Sequence, residues 1–137
     1  MGVVYGAGGL WNWKLFPEEE GWPEWADSKV SWREAIELTG SKYVGYLGKA
    51  LKGLDITDIE RHQELTEGKL CLAKPGELYI VYLPEGGNVN INGLKGKEQY
   101  KWFDPRDGEF ITEGTIENPE APLSAPAEIP VVLIIQH

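Results

Sequence analysis

The residue types in this chain that could do chemistry crowd together near its start. The stretch GLWNWKLFPEEEGWPEWADSKVSW, residues 9–32, holds Trp11, Trp13, Trp22, Trp25 and Trp32, five of the six tryptophans in the sequence. An indole is the largest flat apolar face a protein can offer, and sugars present flat C–H faces that pack against such rings. Acids are interleaved: Glu18, Glu19, Glu20, Glu24 and Asp27. Two carboxyl groups at a suitable separation are what glycoside hydrolysis needs. Adjacent glutamates between Pro17 and Pro23 read instead as a solvated charge run. Nothing in the run suggests the burial that raises a general acid's pKa.

Other reactive groups are sparse. Asp104, Asp107 and Glu109 in FDPRDGE are oxygen donors of the kind that bind Ca²⁺, but their spacing is not that of an EF-hand loop. A β-turn capped by Asp104 is the better reading. His62 and His137 are too few and too scattered for a zinc site. Cys71 lies in the alternating KLCLA, which makes it a buried structural thiol. No motif flanks it, so a Cys–His nucleophile pair is rejected. The glycines of GAGG fit neither GxGxxG nor a phosphate-binding loop. No metal, no cofactor and no catalytic residue is assigned.

Size and charge narrow the field. The 137 residues suit one compact domain or a small domain with an appendage. A net charge of −9 and a pI near 4.7 argue against nucleic acid and anionic membranes as partners. The longest apolar run, Val131 to Ile135, is far shorter than the ~20 residues of a membrane span. The opening MGVVYGAGG lacks the basic region and long apolar core of a secretory signal, and localisation stays open.

Three zones position these residues. VVY is a short β-like run that ends at Gly-rich GAGG, and the Trp-rich loop follows. Ser31 and Glu34 have capping-box spacing and open a helical zone that reaches about Asp58. Gly40 is expected to split it into two helices, with Val44, Leu47, Leu51 and Leu54 on the apolar face of the second, and Gly53 suits its stop. DITDIERHQEL is a connector with room for one further turn. From Leu65 the chain reads as strands: KLCLA, LYIVYLP, VNINGL, QYKWFD, FITEGTI and VVLII, separated by the turns KPGE, EGGN and DPRDGE and by a Pro-rich loop at 119–130. The expected fold is α+β: an antiparallel β-sandwich of about six to eight strands, preceded by a strand–loop–helix element. The domains are residues 1–58 and 59–137. A lone strand, loop and helix cannot bury their own faces, so the first piece looks like one βα unit of something larger.

These residues carry a resemblance. YGAGGLWNW followed by WREAIELTGSKYVGYLGKAL is similar to the last βα unit of a (β/α)8 barrel in the apiosidase-type glycoside-hydrolase-like family; Tyr5, Gly6, Trp11, Trp32, Glu34, Ala35 and Gly40 match. GELYIVYLPEGGNVNINGL and YKWFDPRDGEF resemble the β-sandwich that follows such barrels and is named for collagen binding. No residue spacing here supports that name. The resemblance implies a Trp-rich loop at the rim of a substrate cleft, since barrel active sites are built from loops after the strands. It makes Tyr5, Trp11, Trp13, Trp22 and Trp25 the candidate carbohydrate-contact residues. The competing reading is that the rings pack the barrel–sandwich junction. It is preferred for Trp22, Trp25 and Trp32, and both readings stand for Trp11 and Trp13. The family's catalytic carboxylates lie on earlier barrel strands, so none is carried over.

The expected function is therefore a non-catalytic accessory module that braces or completes a barrel and contacts carbohydrate. Two alternatives stand beside it: part of a hydrolysing assembly whose carboxylates lie elsewhere, and a free-standing carbohydrate or matrix-protein binding module. The partners expected are a carbohydrate, and a barrel or a second copy meeting the Trp-rich segment. Full-length relatives would be secreted or periplasmic.

Overall fold

A computed structural model of the chain describes residues 15–18, 20, 21, 23 and 29–137. The expected first strand, most of the Trp-rich loop, and Tyr5, Trp11, Trp13, Trp22 and Trp25 lie outside the described residues. The chain forms two compact units, residues 1–48 and 49–137.

Helix α1, Trp32–Ala35, starts where the sequence says it should. The Ser31 hydroxyl accepts from the Glu34 backbone N–H at 3.3 Å, and Glu34 Oε2 accepts from the Ser31 N–H at 2.8 Å. This capping box satisfies two donors that a helix start otherwise leaves unpaired. Helix α2, Thr39–Ala50, follows. The break between them is not at Gly40, which sits in the first turn of α2. It lies at residues 36–38, because the Ala35 carbonyl is taken by the Leu38 N–H at 3.2 Å and by the Ser41 hydroxyl at 2.9 Å. The i to i+4 ladder therefore ends at Ala35 and restarts at Thr39. After α2 the chain turns through Gly53, whose φ of +81° is one that L-residues seldom adopt.

The second unit is mainly antiparallel sheet. The strands are β1 (Glu60–Arg61), β2 (Leu70–Lys74), β3 (Leu78–Leu83), β4 (Asn88–Val89), β5 (Gln99–Asp104), β6 (Glu109–Thr115), β7 (Leu123–Ser124) and β8 (Val131–Gln136). Six form one sheet in the order β1-β2-β3-β8-β5-β6, and β4 and β7 pair as a small second sheet. The α+β class is as expected, but the two sheets are very unequal. The connector supplies the short edge strand β1 and a 3-10 turn at Gln63–Thr66, and the Pro-rich loop contains β7. VNINGL pairs only at Asn88–Val89. Its ladder ends there because the Asn92 N–H turns aside to the Leu65 carbonyl at 2.8 Å and Gly93 takes φ +93°.

Alternation decides which side chains enter the core. Cys71 and Ala73 on β2, Tyr79, Val81 and Leu83 on β3, Trp102 on β5, and Val131, Leu133 and Ile135 on β8 share one face of the large sheet. Val89, Ile91 and Ile116 close over them. Trp102 is 2% exposed and is the largest fully enclosed side chain of this core. A register shift between Trp102 and Phe103 puts an extra residue into β6 opposite β5. Trp102→Ala is expected to cost about 3–5 kcal/mol, lost contacts and residual cavity together, read from urea unfolding. Gly45 lies inside α2 with no described atom within 4 Å of where a Cβ would sit. Gly45→Ala should therefore stabilise by about 0.5–1 kcal/mol in the same experiment.

Candidate functional site

The described residues of the Trp-rich stretch are open to solvent. Leu15 is 48% and Phe16 58% exposed, and Glu18 and Glu20 are exposed as well. Glu19, Glu24 and Asp27 lie outside the described residues. Trp32, at the start of α1, is half-buried, and the Arg33 guanidinium carbon stands 4.8 Å from its ring centroid. That cation–π contact occupies indole surface that a sugar platform would need free.

The turn after β5 shows why its carboxylates do not make an open cation site. Asp104 is buried, and its Oδ1 accepts from the Arg106 backbone N–H at 2.9 Å and from Nε at 3.0 Å. Its Oδ2 accepts from Nη2 at 2.7 Å, which completes a two-pronged pair. Asp107 Oδ1 accepts from the Glu109 N–H at 2.9 Å. Both carboxylates are spent on closing the turn, the role the sequence suggests for Asp104. The Arg106 side-chain hydrogen bonds hold the Asp104 carboxyl below its ordinary 3.8, against the opposing effect of burial.

The remaining reactive groups are equally committed. His62 Nδ1 and Glu64 Oε1 lie 2.7 Å apart, and this bond holds Glu64 low. The His62 backbone N–H donates to the Cys71 carbonyl at 3.0 Å, so His62, Glu64 and Cys71 are neighbours. They are not a nucleophile set. Burial, with a smaller effect of the Glu64 charge, pushes the Cys71 thiol up to about 11, so the thiolate is scarce at neutral pH. Among the described residues no group of three or more His, Cys, Asp or Glu side chains is placed to hold a metal ion.

Sequence reasoning missed Glu98. It is 3% exposed, its Oε1 accepts from the Lys95 N–H at 2.7 Å, and its Oε2 is buried without a hydrogen-bond partner among the described residues. Burial pushes this carboxyl up, but the N–H groups of Lys95, Glu98 and Gly96, helped by His137, outweigh it and hold it low. Residues 95–98 fold back on residue 116: Lys97 N–H donates to Ile116 O at 2.7 Å, and Ile116 N–H to Glu98 O at 2.9 Å. KGKE in the sequence reads as surface.

With this geometry in place, the class is a small antiparallel β domain that follows a helical element. The chain belongs to the family described as "Putative collagen-binding domain of a collagenase", matched over residues 57–130. Residues 1–58 match the apiosidase-like catalytic domain. The solved structures that share the fold include a glycoside hydrolase family 5 protein from Bacteroides vulgatus ATCC 8482, at 18% identity and a TM-score of 0.58, covering 80% of this chain and 27% of that one. Another is a glycoside hydrolase at 16% identity and a TM-score of 0.59, covering 86% of this chain and 30% of that one. The chain thus spans less than a third of the length of either structure. No curated protein gives a significant match.

The Asp104–Arg106 pair has a pH signature. Because the folded pKa is depressed, its contribution is full above the ordinary aspartate range near ~4 and is lost as pH falls through the lowered value. Asp104→Asn is expected to destabilise by about 1 kcal/mol at pH 7, the low end of roughly 1–3 because Arg106 is half exposed. The gap to wild type should narrow in urea melts taken below pH 4. For Cys71, thiol-reactive dye at pH 7 should label the folded chain far more slowly than the urea-unfolded chain; equal rates would contradict its burial.

Proposed function

We propose that this chain is a non-catalytic accessory module of a glycoside-hydrolase-like protein, one that braces or completes a barrel and contacts carbohydrate. The observation that carries the reading is the junction of two family matches within one continuous chain. An apiosidase-like segment over residues 1–58 runs directly into a β-sandwich family over 57–130. Tyr5, Trp11, Trp13, Trp22 and Trp25 are the residues that would meet the sugar, through ring faces packed on C–H groups.

The non-catalytic part rests on the resemblance, which puts the catalytic carboxylates on earlier barrel strands, and the described carboxyls are in keeping with it. A glycosidic general acid needs a carboxyl whose pKa is raised. Glu34, Asp55, Glu64, Glu98 and Asp104 are the described carboxyls whose titration the surroundings move, and all five move downward. Each is stabilised as an anion by hydrogen bonds, the opposite of what proton donation requires. The apiosidase-like match supports a second reading, in which this chain is part of a hydrolysing assembly whose carboxylates lie on another chain or another region.

Glycan-array binding and glycoside hydrolysis by the purified chain test the proposal together. Binding without hydrolysis is the expected result, with binding reduced about tenfold or more in Trp11→Ala. Hydrolysis by the chain alone would overturn the non-catalytic reading. Unchanged glycan binding in Trp11→Ala and Trp13→Ala would remove the Trp-rich segment from the contact surface.

A further inference from the structure

A second candidate site lies wholly within the β domain and uses none of the tryptophans. Three segments far apart in sequence line an open recess of about 250 Å³, and Glu67, Asn90, Asn92 and Glu120 are exposed in it. Glu67, Asn90, Asn92 and Glu120 supply its polar lining, with Ile91, Leu94 and Pro119 beside them. In each segment one backbone N–H is held by a hydrogen bond. Glu67 ends the 3-10 turn in the left-handed region at φ +53°, with its N–H on the Gln63 carbonyl. The Asn92 N–H is held by Leu65 O at 2.8 Å, and the Glu120 N–H by Asn118 Oδ1 at 3.1 Å.

The lining defines the ligand chemistry. Two carboxylates only accept hydrogen bonds, while two carboxamides both donate and accept. No basic side chain lines the recess, so an anion would meet uncompensated negative charge. A neutral polyol meets these groups well: its hydroxyls donate to the carboxylates and accept from the carboxamides. The one internal link, Asn90 Nδ2 to Glu67 Oε1 at 3.4 Å, is long and leaves both groups capacity for a ligand. The volume falls just below the ~300–1,000 Å³ typical of clefts for drug-sized molecules, which suits a single sugar ring. A bare cation needs a tight cage of oxygens at roughly 2.3–2.6 Å, and a recess of this width is not one. The geometry points to a binding site for one neutral sugar unit, formed by Glu67, Asn90, Asn92 and Glu120. It stands on different residues from the proposed Trp-rich contact and does not depend on it.

Two-dimensional ¹H–¹⁵N NMR of the full chain, titrated with the methyl glycosides of glucose, galactose, mannose, xylose and arabinose, tests it. At least one glycoside should shift the amides of residues 90–94 and of Glu120. Asn92→Ala and Glu120→Gln should each weaken that response about tenfold while the rest of the spectrum stays in place. Trp11→Ala should keep it, which separates this site from the Trp-rich one. The proposal is overturned if none of the glycosides moves these amides in large excess. It is equally overturned if calcium chloride alone moves them and the glycosides do not, or if the response survives in both recess variants.

Discussion

Strand β8 is the constraint on which the β domain depends. It pairs with β3 along one side and β5 along the other, so the six-stranded sheet exists only if β8 is in register with both. A strand in that position is covered on both faces, and Val131, Leu133, Ile134 and Ile135 are each buried. That explains why VVLII is a continuous apolar run whereas β2 alternates, with only Cys71 and Ala73 buried. It also means that strands from residues 70–83 and 99–115 close on the last strand of the chain. The sheet is held by long-range contacts, and its earlier strands have no complete partner until the final segment is placed.

What was legible in the sequence follows from that distinction between local and distant forces. The capping box at Ser31 and Glu34, the turns KPGE and DPRDGE, and the long strands β2, β3, β5, β6 and β8 are dictated by residues a few positions apart. They appear where periodicity and turn chemistry put them. Of the short elements, β1 and β7 were not legible, and β4 is the shortened remainder of the expected VNINGL strand. β1, β4 and β7 are two-residue ladders that exist because a partner strand is present, not because their own residues favour extension. The helix break at residues 36–38 was misplaced for a related reason. Gly40 is a weak helix former, but a glycine in the first turn of a helix costs little. The Ser41 hydroxyl taking the Ala35 carbonyl is a competition that residue type alone does not rank.

The reactive groups divide along the same line. Cys71 could be read as inert from KLCLA because alternation is local, and the Asp104 turn from DPR because an Asx-type cap spans two residues. Glu98 and the recess between Glu67 and Glu120 could not be read. Each needs segments separated by about twenty residues or more, brought together by the clasp of residues 95–98 on 116 and of Asn92 on Leu65. Polar residues in loops carry no periodic signal, so their convergence is visible only after the strands on either side are docked.

The direction of the carboxyl shifts ties stability to function. The β domain carries acids in its turns and clasps, and where their titration is moved it is by hydrogen-bond donors that favour the anion: Arg106 on Asp104, backbone N–H groups on Glu98, His62 on Glu64. An acid used this way is a structural acceptor, and protonating it removes a bond that holds a loop. Proton donation to a glycosidic oxygen asks for the reverse, a carboxyl kept neutral by an apolar wall. The same group cannot serve both ends at one pH. Asp104, Glu98 and Glu64 therefore act as internal anchors, each holding a turn or clasp of its own loop.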